Sequence, residues 1–174
     1  MNQEETSRET SRETSRETSR ETNFLKIENQ IKEQMYKAFS DLVDENIASD
    51  KPDYIWLTNL FAEIKLRLLN IVKKDGKTYK NIDENFDVEL FKQMVENRVF
   101  GYDSTVKLIN NSFYWVNQLQ APQRDEYTNN ARQRVLSSEQ NKLLSTFLKE
   151  LHICIDYIYE DIISFNEIIE KQVN

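Results

Sequence analysis

The sequence predicts an all-α fold, an irregular bundle of about six helices around one buried central helix. Two glycines and two prolines in 174 residues are too few for the turns of a β-sandwich or a doubly wound α/β fold. Apolar residues recur at steps of three and four along most of the chain, which is the helical period. The length suffices for one domain with its own core.

A low-complexity repeat precedes the helical pattern. Residues 5–22 repeat the tetrapeptide Glu-Thr-Ser-Arg, four times in full. No large apolar residue lies between Met1 and Phe24, so this segment can bury nothing that would offset its ordering entropy. We therefore expect a disordered tail over residues 1–22 and a single helical domain over residues 23–174. A phosphorylatable or arginine-rich binding arm is the alternative reading of the repeat.

The first two predicted helices, over residues 23–48 and 52–72, carry long apolar stripes. The stripe of the first is Phe24, Ile27, Ile31, Met35, Phe39 and Leu42. The stripe of the second is Tyr54, Leu57, Phe61, Ile64, Leu68 and Ile71, widened by Leu60, Leu69 and Val72. The apolar arc of the second helix covers more than half of its circumference, so at least two neighbours must cover it. We expect this helix at the centre of the bundle.

The ends of the central helix are marked by ordinary signals. Pro52 suits its first turn. Lys73 and Lys74 suit its negative end, and Gly76 is expected to end it. Lys65 breaks the pattern because it falls inside the apolar arc, where a lysine must reach water or meet a carboxylate.

A polar segment separates the second helix from the third. The composition of residues 77–86 predicts a loop. Asp87 then has the features of an N-cap. Phe86 and Phe91 are placed for a hydrophobic staple around it, and Gly101 is expected to end the third helix.

The fourth and fifth helices differ in polarity. The fourth is capped by Asp103 or Ser104, carries two apolar stripes and ends before Pro122. The fifth, over residues 123–136, is polar and is expected at the surface.

The sixth helix is the longest of the helices predicted for residues 23–174. The sequence Ser-Ser-Glu-Gln at residues 137–140 predicts a capping box at its start. At 1.5 Å per residue the helix is about 50 Å long, more than the other helices can cover. We expect its end to overhang, with Phe165, Ile168 and Ile169 as exposed apolar contacts that also allow a homo-oligomer through this helix.

The composition excludes several classes of function. Two glycines cannot build a glycine-rich phosphate loop. The net charge of −7 and a pI near 4.9 disfavour a general affinity for nucleic acid. Cys154 and His152 are the single cysteine and histidine, which leaves no zinc site of such ligands. The sequence predicts no catalytic, cofactor-binding or metal-binding residues.

The chain also lacks membrane signals. No apolar run approaches the length of a membrane span, and the N-terminus is polar, so neither a span nor a signal peptide is predicted. A single cysteine permits no internal disulfide, and we expect a reducing compartment, the cytoplasm.

Several blocks together resemble the T-complex protein 11 family. They are Ala-Phe-Ser-Asp at 38–41, Lys-Pro-Asp-Tyr at 51–54, Glu-Ile-Lys at 63–65, Asp-Val-Glu-Leu at 87–90 with a glutamine at 93, and Leu-Gln-Ala-Pro-Gln-Arg-Asp-Glu at 119–126. The last block, with its Ala-Pro-x-Arg-Asp core, is the most specific. The resemblance spans residues 38–165, and family members usually continue well beyond this length.

The chain departs from the family pattern at three positions. Ser40 stands where the family usually has tryptophan, and Gln120 where it has cysteine. Ser164 closes what is usually an Asp-x-x-Asn sequence. The resemblance implies a non-enzymatic signalling protein linked to cyclic-AMP and protein-kinase-A pathways, with a protein partner and without a named site.

Four charged residues are the candidate site. Arg124 and Asp125 lie in the first turn of the fifth helix and could dock a partner or clamp the fold internally. We expect the internal clamp, with Asp125 against Lys65 and Arg124 near Glu63, because a buried lysine needs a carboxylate.

Other charged residues are expected to be solvated. Asp156, Glu160 and Asp161 form an acidic face on the sixth helix without a catalytic pattern. His152 and Cys154, two residues apart on a helix, do not face each other, which argues against a dyad. The lysines at 73, 74, 77 and 80 form the one basic cluster, interpreted as a solvated loop.

Three functional hypotheses follow. The first is an interaction or regulatory module, which predicts an exposed apolar patch. The second is a self-assembling structural protein, which shares that patch. The third is an enzyme of unrecognised type, which predicts a pocket with converging polar groups, and no motif supports it.

Overall fold

The computed structural model describes residues 3–98 and 102–173, with side chains for residues 20–98 and 102–172. Every regular element in these ranges is helical, which confirms the all-α class. The elements are α1 (Gln3–Ala48), α2 (Tyr54–Ile71), α3 (Lys77–Asn85), α4 (Val88–Glu96), α5 (Tyr102–Leu119), a 3-10 helix (Pro122–Arg124), α6 (Asp125–Leu136) and α7 (Leu143–Val173). None of the described helices is both long and apolar enough to cross a membrane.

The chain divides into two units, Met1–Phe39 and Ser40–Asn174. The first unit is the N-terminal part of α1, where Phe24, Ile31 and Met35 are exposed. α1 begins at Gln3 and not near residue 23, because no helix breaker precedes Pro52 and Glu-to-Arg spacings of three support a helix weakly. The expected disorder of residues 1–22 stays a prediction.

The second unit is built around α2, as the sequence predicts. Leu57, Phe61, Ile64 and Leu68 are almost completely buried, and α2 packs against α3, α4, α5 and α7. The helix begins after Asp53, whose carboxylate accepts a hydrogen bond from the Trp56 backbone N–H at 2.9 Å.

Aromatic stacking joins α2 to the next two helices. The ring centroid of Phe61 lies 4.8 Å from that of Phe86 and 4.3 Å from that of Phe91. Phe61, Phe86 and Phe91 are each no more than 1% exposed. Phe86 and Phe91, the predicted staple pair, therefore both pack on the ring of Phe61. The N-cap at Asp87 is confirmed, because its carboxylate accepts a hydrogen bond from the Leu90 backbone N–H at 2.8 Å.

The loop predicted for residues 77–86 is wrong. α2 ends at Ile71, so the lysines at 73 and 74 lie beyond it, and Gly76 is the N-cap of α3. Gly76 therefore does not end α2, and it is Asp75 that has the left-handed backbone conformation here, at φ 61°. Tyr79 and Ile82, three residues apart, share one helical face, and Ile82 is fully buried.

Two other predicted helix ends also change. α4 ends at Glu96 with Asn97 as its C-cap, and Gly101 lies outside the described residues. α5 begins at Tyr102, so Asp103 and Ser104 lie within its first turn and do not cap it.

The start of the last helix was placed too early. The Ser138 hydroxyl donates to the Val135 carbonyl at 2.7 Å, which closes the end of α6. A turn follows, and α7 begins at Leu143, so the capping box at residues 137–140 is wrong. α6 also has an inner face, because Ala131 and Val135 are fully buried, in contrast to the predicted surface helix.

Candidate docking groove

Three arginines from three elements bind α7. The ion pairs are Arg67–Asp156, Arg124–Asp161 and Arg134–Glu150, with N–O distances of 2.5, 2.6 and 2.8 Å. Each guanidinium also lies over a tyrosine ring: Tyr159 at 5.2 Å, Tyr157 at 4.4 Å and Tyr127 at 5.2 Å, respectively. A planar guanidinium suits both contacts at once. Tyr157 and Tyr159 belong to α7, so α7 is held by three ion pairs and by stacking at Arg67 and Arg124, whereas Tyr127 lies on α6 beside Arg134.

The pair closest to the end of α7 is bidentate. Arg124 Nε donates to Asp161 Oδ2 at 3.0 Å, and Arg124 Nη2 donates to Asp161 Oδ1 at 2.6 Å. These hydrogen bonds lower the pKa of the Asp161 carboxyl and raise the pKa of the Arg124 guanidinium. Both groups therefore stay charged across the physiological range.

The predicted clamp between Lys65 and Asp125 is wrong. Lys65 Nζ lies 3.0 Å from Asp83 Oδ1 and also donates to the Asp83 carbonyl at 2.6 Å. Asp125 instead accepts from the Gln120 side-chain amide at 2.8 Å. The physical reason is α3: folding of this segment as a helix brings Asp83 beside α2, and Arg124 turns to α7 and not to Glu63.

A second cluster was not predicted from the sequence. Arg67 Nη1 lies 3.3 Å from His152 Nδ1, and the Tyr159 hydroxyl donates to the Arg67 carbonyl at 3.0 Å. Burial, and then the nearby Arg67, lowers the pKa of His152. The prediction that the acidic face of α7 is only solvated is wrong, because Asp156 and Asp161 each bind an arginine.

An apolar groove lies where α7 passes the segment after α5. Its cavity volume is about 420 Å³. It is lined by Leu119, Ala121, Gln123, Ile158, Asp161, Ile162, Ser164, Phe165 and Ile168. Phe165 is 62% exposed and Ile168 54%, and Ile169, 42% exposed, follows on the same helix. We call this surface the α7 groove.

The α7 groove holds no group prepared for acid–base chemistry. Asp161 is kept ionised by Arg124, and both of its oxygens accept hydrogen bonds. The Cys154 thiol is buried, and burial raises its pKa to about 12, so it stays protonated. Among the described residues, no cluster of His, Cys, Asp and Glu could hold a metal ion.

All residues that line the groove except Ile168 lie within the part of the chain that matches a known protein family. The family model described as T-complex protein 11 matches residues 14–166. A Homo sapiens protein described as T-complex protein 11 homolog is 30% identical over 104 residues, which are 58% of this chain. That match covers 20% of the human protein's length. No solved structure matches the chain.

Proposed function

The chain belongs to the T-complex protein 11 family, and on this premise we propose that it is a non-enzymatic module that binds a protein partner. The observation that carries the proposal is the α7 groove. An apolar surface of this kind on a helical domain is typical of a binding site, because the free energy falls when a partner covers exposed apolar side chains.

The position of the groove supports the proposal. One wall is formed by Leu119 and Ala121, which belong to the block at residues 119–126 that most resembles the family. Arg124 of the same block binds Asp161 on the other wall. The block therefore contributes both lining residues of the groove and an ion pair to α7.

A role in cyclic-AMP and protein-kinase-A signalling is the finer part of the proposal. It rests on the family resemblance and not on a contact in this chain. Co-precipitation of the chain with the regulatory and catalytic subunits of protein kinase A tests it, with binding to either subunit expected. Absence of both subunits from the precipitate would contradict this part and leave the binding role intact.

The binding role is tested by a charge placed in the groove. We expect Phe165→Glu to remove the proteins that reproducibly co-purify with the unchanged chain. Ile55→Glu is the matched control, because Ile55 is 74% exposed on α2 and does not line the groove. Loss of the same proteins from both variants would contradict the assignment to the groove.

Self-assembly is the second candidate function. It is favoured by the apolar face of the first unit, where Phe24 is 69% exposed and Met35 66%. Multi-angle light scattering over a range of concentrations tests it, and a mass that stays at one chain would reject it.

A further inference from the structure

We infer that the α7 groove receives an amphipathic helix of another protein whose polar flanks are basic. This inference rests on the proposed function and adds to it the chemistry of the partner. It follows from the apolar row of α7, from the carboxylates beside that row and from the charge clash that a second copy of α7 would produce.

The shape of the groove fits a helix. Ile158, Ile162, Phe165 and Ile169 follow one another at steps of four, three and four, so they form one row along α7. At 1.5 Å per residue this row is about 16 Å long, or three turns. Partner helices that bind in apolar grooves present anchors at positions i, i+3 or i+4, and i+7, which span about 10.5 Å, so the row is long enough to contact all of them.

The charge beside the row selects a basic partner. Residues 160–171 contain four carboxylates and one lysine, Lys171. Glu160 and Glu167 lie on the helix face that borders Ser164 at the edge of the groove, so this edge of α7 is acidic. Lysines or arginines on the flanks of a partner would approach these carboxylates, whereas an acidic partner or an anionic lipid surface would be repelled.

A second copy of α7 is a poorer occupant. Antiparallel pairing of the apolar row about its midpoint sets Glu160 of one copy opposite Glu167 of the other. Parallel pairing sets each glutamate against itself. Like charges across a helix pair are unfavourable in both arrangements, so a foreign helix with basic flanks fits the groove better.

Fluorescence anisotropy with two labelled peptides tests the inference on the full chain. The first is an amphipathic helix of about 18 leucines and lysines, and the second has glutamate in place of every lysine. We expect the lysine peptide to bind at least about tenfold more tightly than the glutamate peptide. We also expect Glu167→Lys to weaken the lysine peptide about threefold, and added salt to weaken it further.

Variants connect the binding to the groove. Phe165→Glu, and Ile168→Glu as a second variant, should weaken the lysine peptide about tenfold, while Ile55→Glu leaves it unchanged. Circular dichroism and urea unfolding confirm that each variant is folded. Equal binding of the two peptides, no binding of either, or unchanged binding by both groove variants would overturn the inference.

Two further outcomes identify a different occupant and also overturn it. One is a dimer in light scattering that Phe165→Glu abolishes. The other is retention on phosphatidylcholine vesicles that the same variant abolishes. If native partners are lost from Phe165→Glu but the lysine peptide does not bind, the proposed function stands and only the basic character of the partner is wrong.

Discussion

At the scale of single residues, arginines from three elements bind carboxylates of α7. Arg124 uses two nitrogens on the two oxygens of Asp161 and places its plane over Tyr157. A lysine offers one charged nitrogen and no plane, so it could not make both contacts. Lys65 illustrates the difference, because its charge is bound by Asp83 alone.

The Arg124–Asp161 pair can be measured with a double-mutant cycle. Arg124→Gln and Asp161→Asn should each lower the free energy of unfolding by about 1–2 kcal/mol, because each leaves a half-buried charge without its partner. The coupling energy should be about 1 kcal/mol, reduced from that of a buried pair by solvent. Urea unfolding followed by circular dichroism measures it.

The exposed pair Lys32–Glu28, at 3.4 Å on α1, provides the control for this cycle. Removing it with Lys32→Gln should change the free energy of unfolding by less than about 0.5 kcal/mol. If Arg124→Gln and Asp161→Asn change the free energy of unfolding no more than Lys32→Gln does, the bidentate pair does not stabilise α7.

His152 should give the protein a dependence on pH near neutrality. Burial, and then Arg67, lowers its pKa in the folded state, with Glu63 and Asp156 acting in the opposite direction. The neutral ring is therefore preferred in the folded protein. Its contribution is fully present above the unfolded pKa of about 6.5 and is lost as pH falls from that value through the lower folded pKa.

Urea unfolding at several pH values checks this dependence. His152 is the single histidine of the chain, so the decline in stability from about pH 6.5 to pH 5 should belong to it. His152→Gln should make the profile flat in this window, while carboxylates titrate below it. A variant that keeps the full decline, or a protein that becomes more stable as the pH falls, would contradict the assignment.

At the scale of helices, α2 organises the core because its buried stripe meets four other helices. Phe61 is the point of closest aromatic contact, stacked against Phe86 and Phe91. On the opposite side of the same helix, Leu66 is 57% exposed. One helix therefore offers a buried and an exposed apolar residue whose effects can be compared directly.

Truncation of these two residues should have very different consequences. Phe61→Ala should lower the free energy of unfolding by about 3–5 kcal/mol, because it opens a cavity between two rings. Leu66→Ala should change it by less than about 0.5 kcal/mol, because it removes exposed atoms and leaves helix propensity almost unchanged. Equal effects in urea unfolding would show that α2 is not the centre of the core.

The features that could be predicted from the sequence were local ones. The stripe of α2 and the N-cap at Asp87 depend on neighbours within a few residues, which periodicity and capping rules describe. The helix α3 was missed because its nine residues contain one buried apolar side chain, too little to show a period. The partner of Lys65 was then missed as well, since Asp83 reaches it only through α3.

The arginine pairs escaped prediction for a different reason. Arg124 and Asp161 are 37 residues apart, and Arg67 and Asp156 are 89 apart. Such pairs are fixed by the packing of whole helices, which no local pattern encodes. Opposed polar strips on α2 and α7 were the available signal, but strips of this kind are equally typical of solvated helix faces.

At the scale of the whole chain, the N-terminal repeat contributes charged side chains but no large apolar side chain. The net charge of −7 limits unspecific association between copies. The α7 groove keeps its apolar side chains exposed despite that charge, and the Glu-Thr-Ser-Arg repeat offers none. The repeat is therefore not expected to stabilise the fold.

Deletion of residues 1–22 tests that expectation. No large apolar residue lies between Met1 and Phe24, and an isolated polar helix is only marginally stable in water, so the deletion should change the free energy of unfolding by less than about 0.5 kcal/mol. The urea m-value should also stay constant, because no buried surface is removed. In the full chain, amide hydrogens of residues 5–22 should exchange without protection. A loss above about 1 kcal/mol together with protected amides in the repeat would instead show that the repeat part of α1 stabilises the fold.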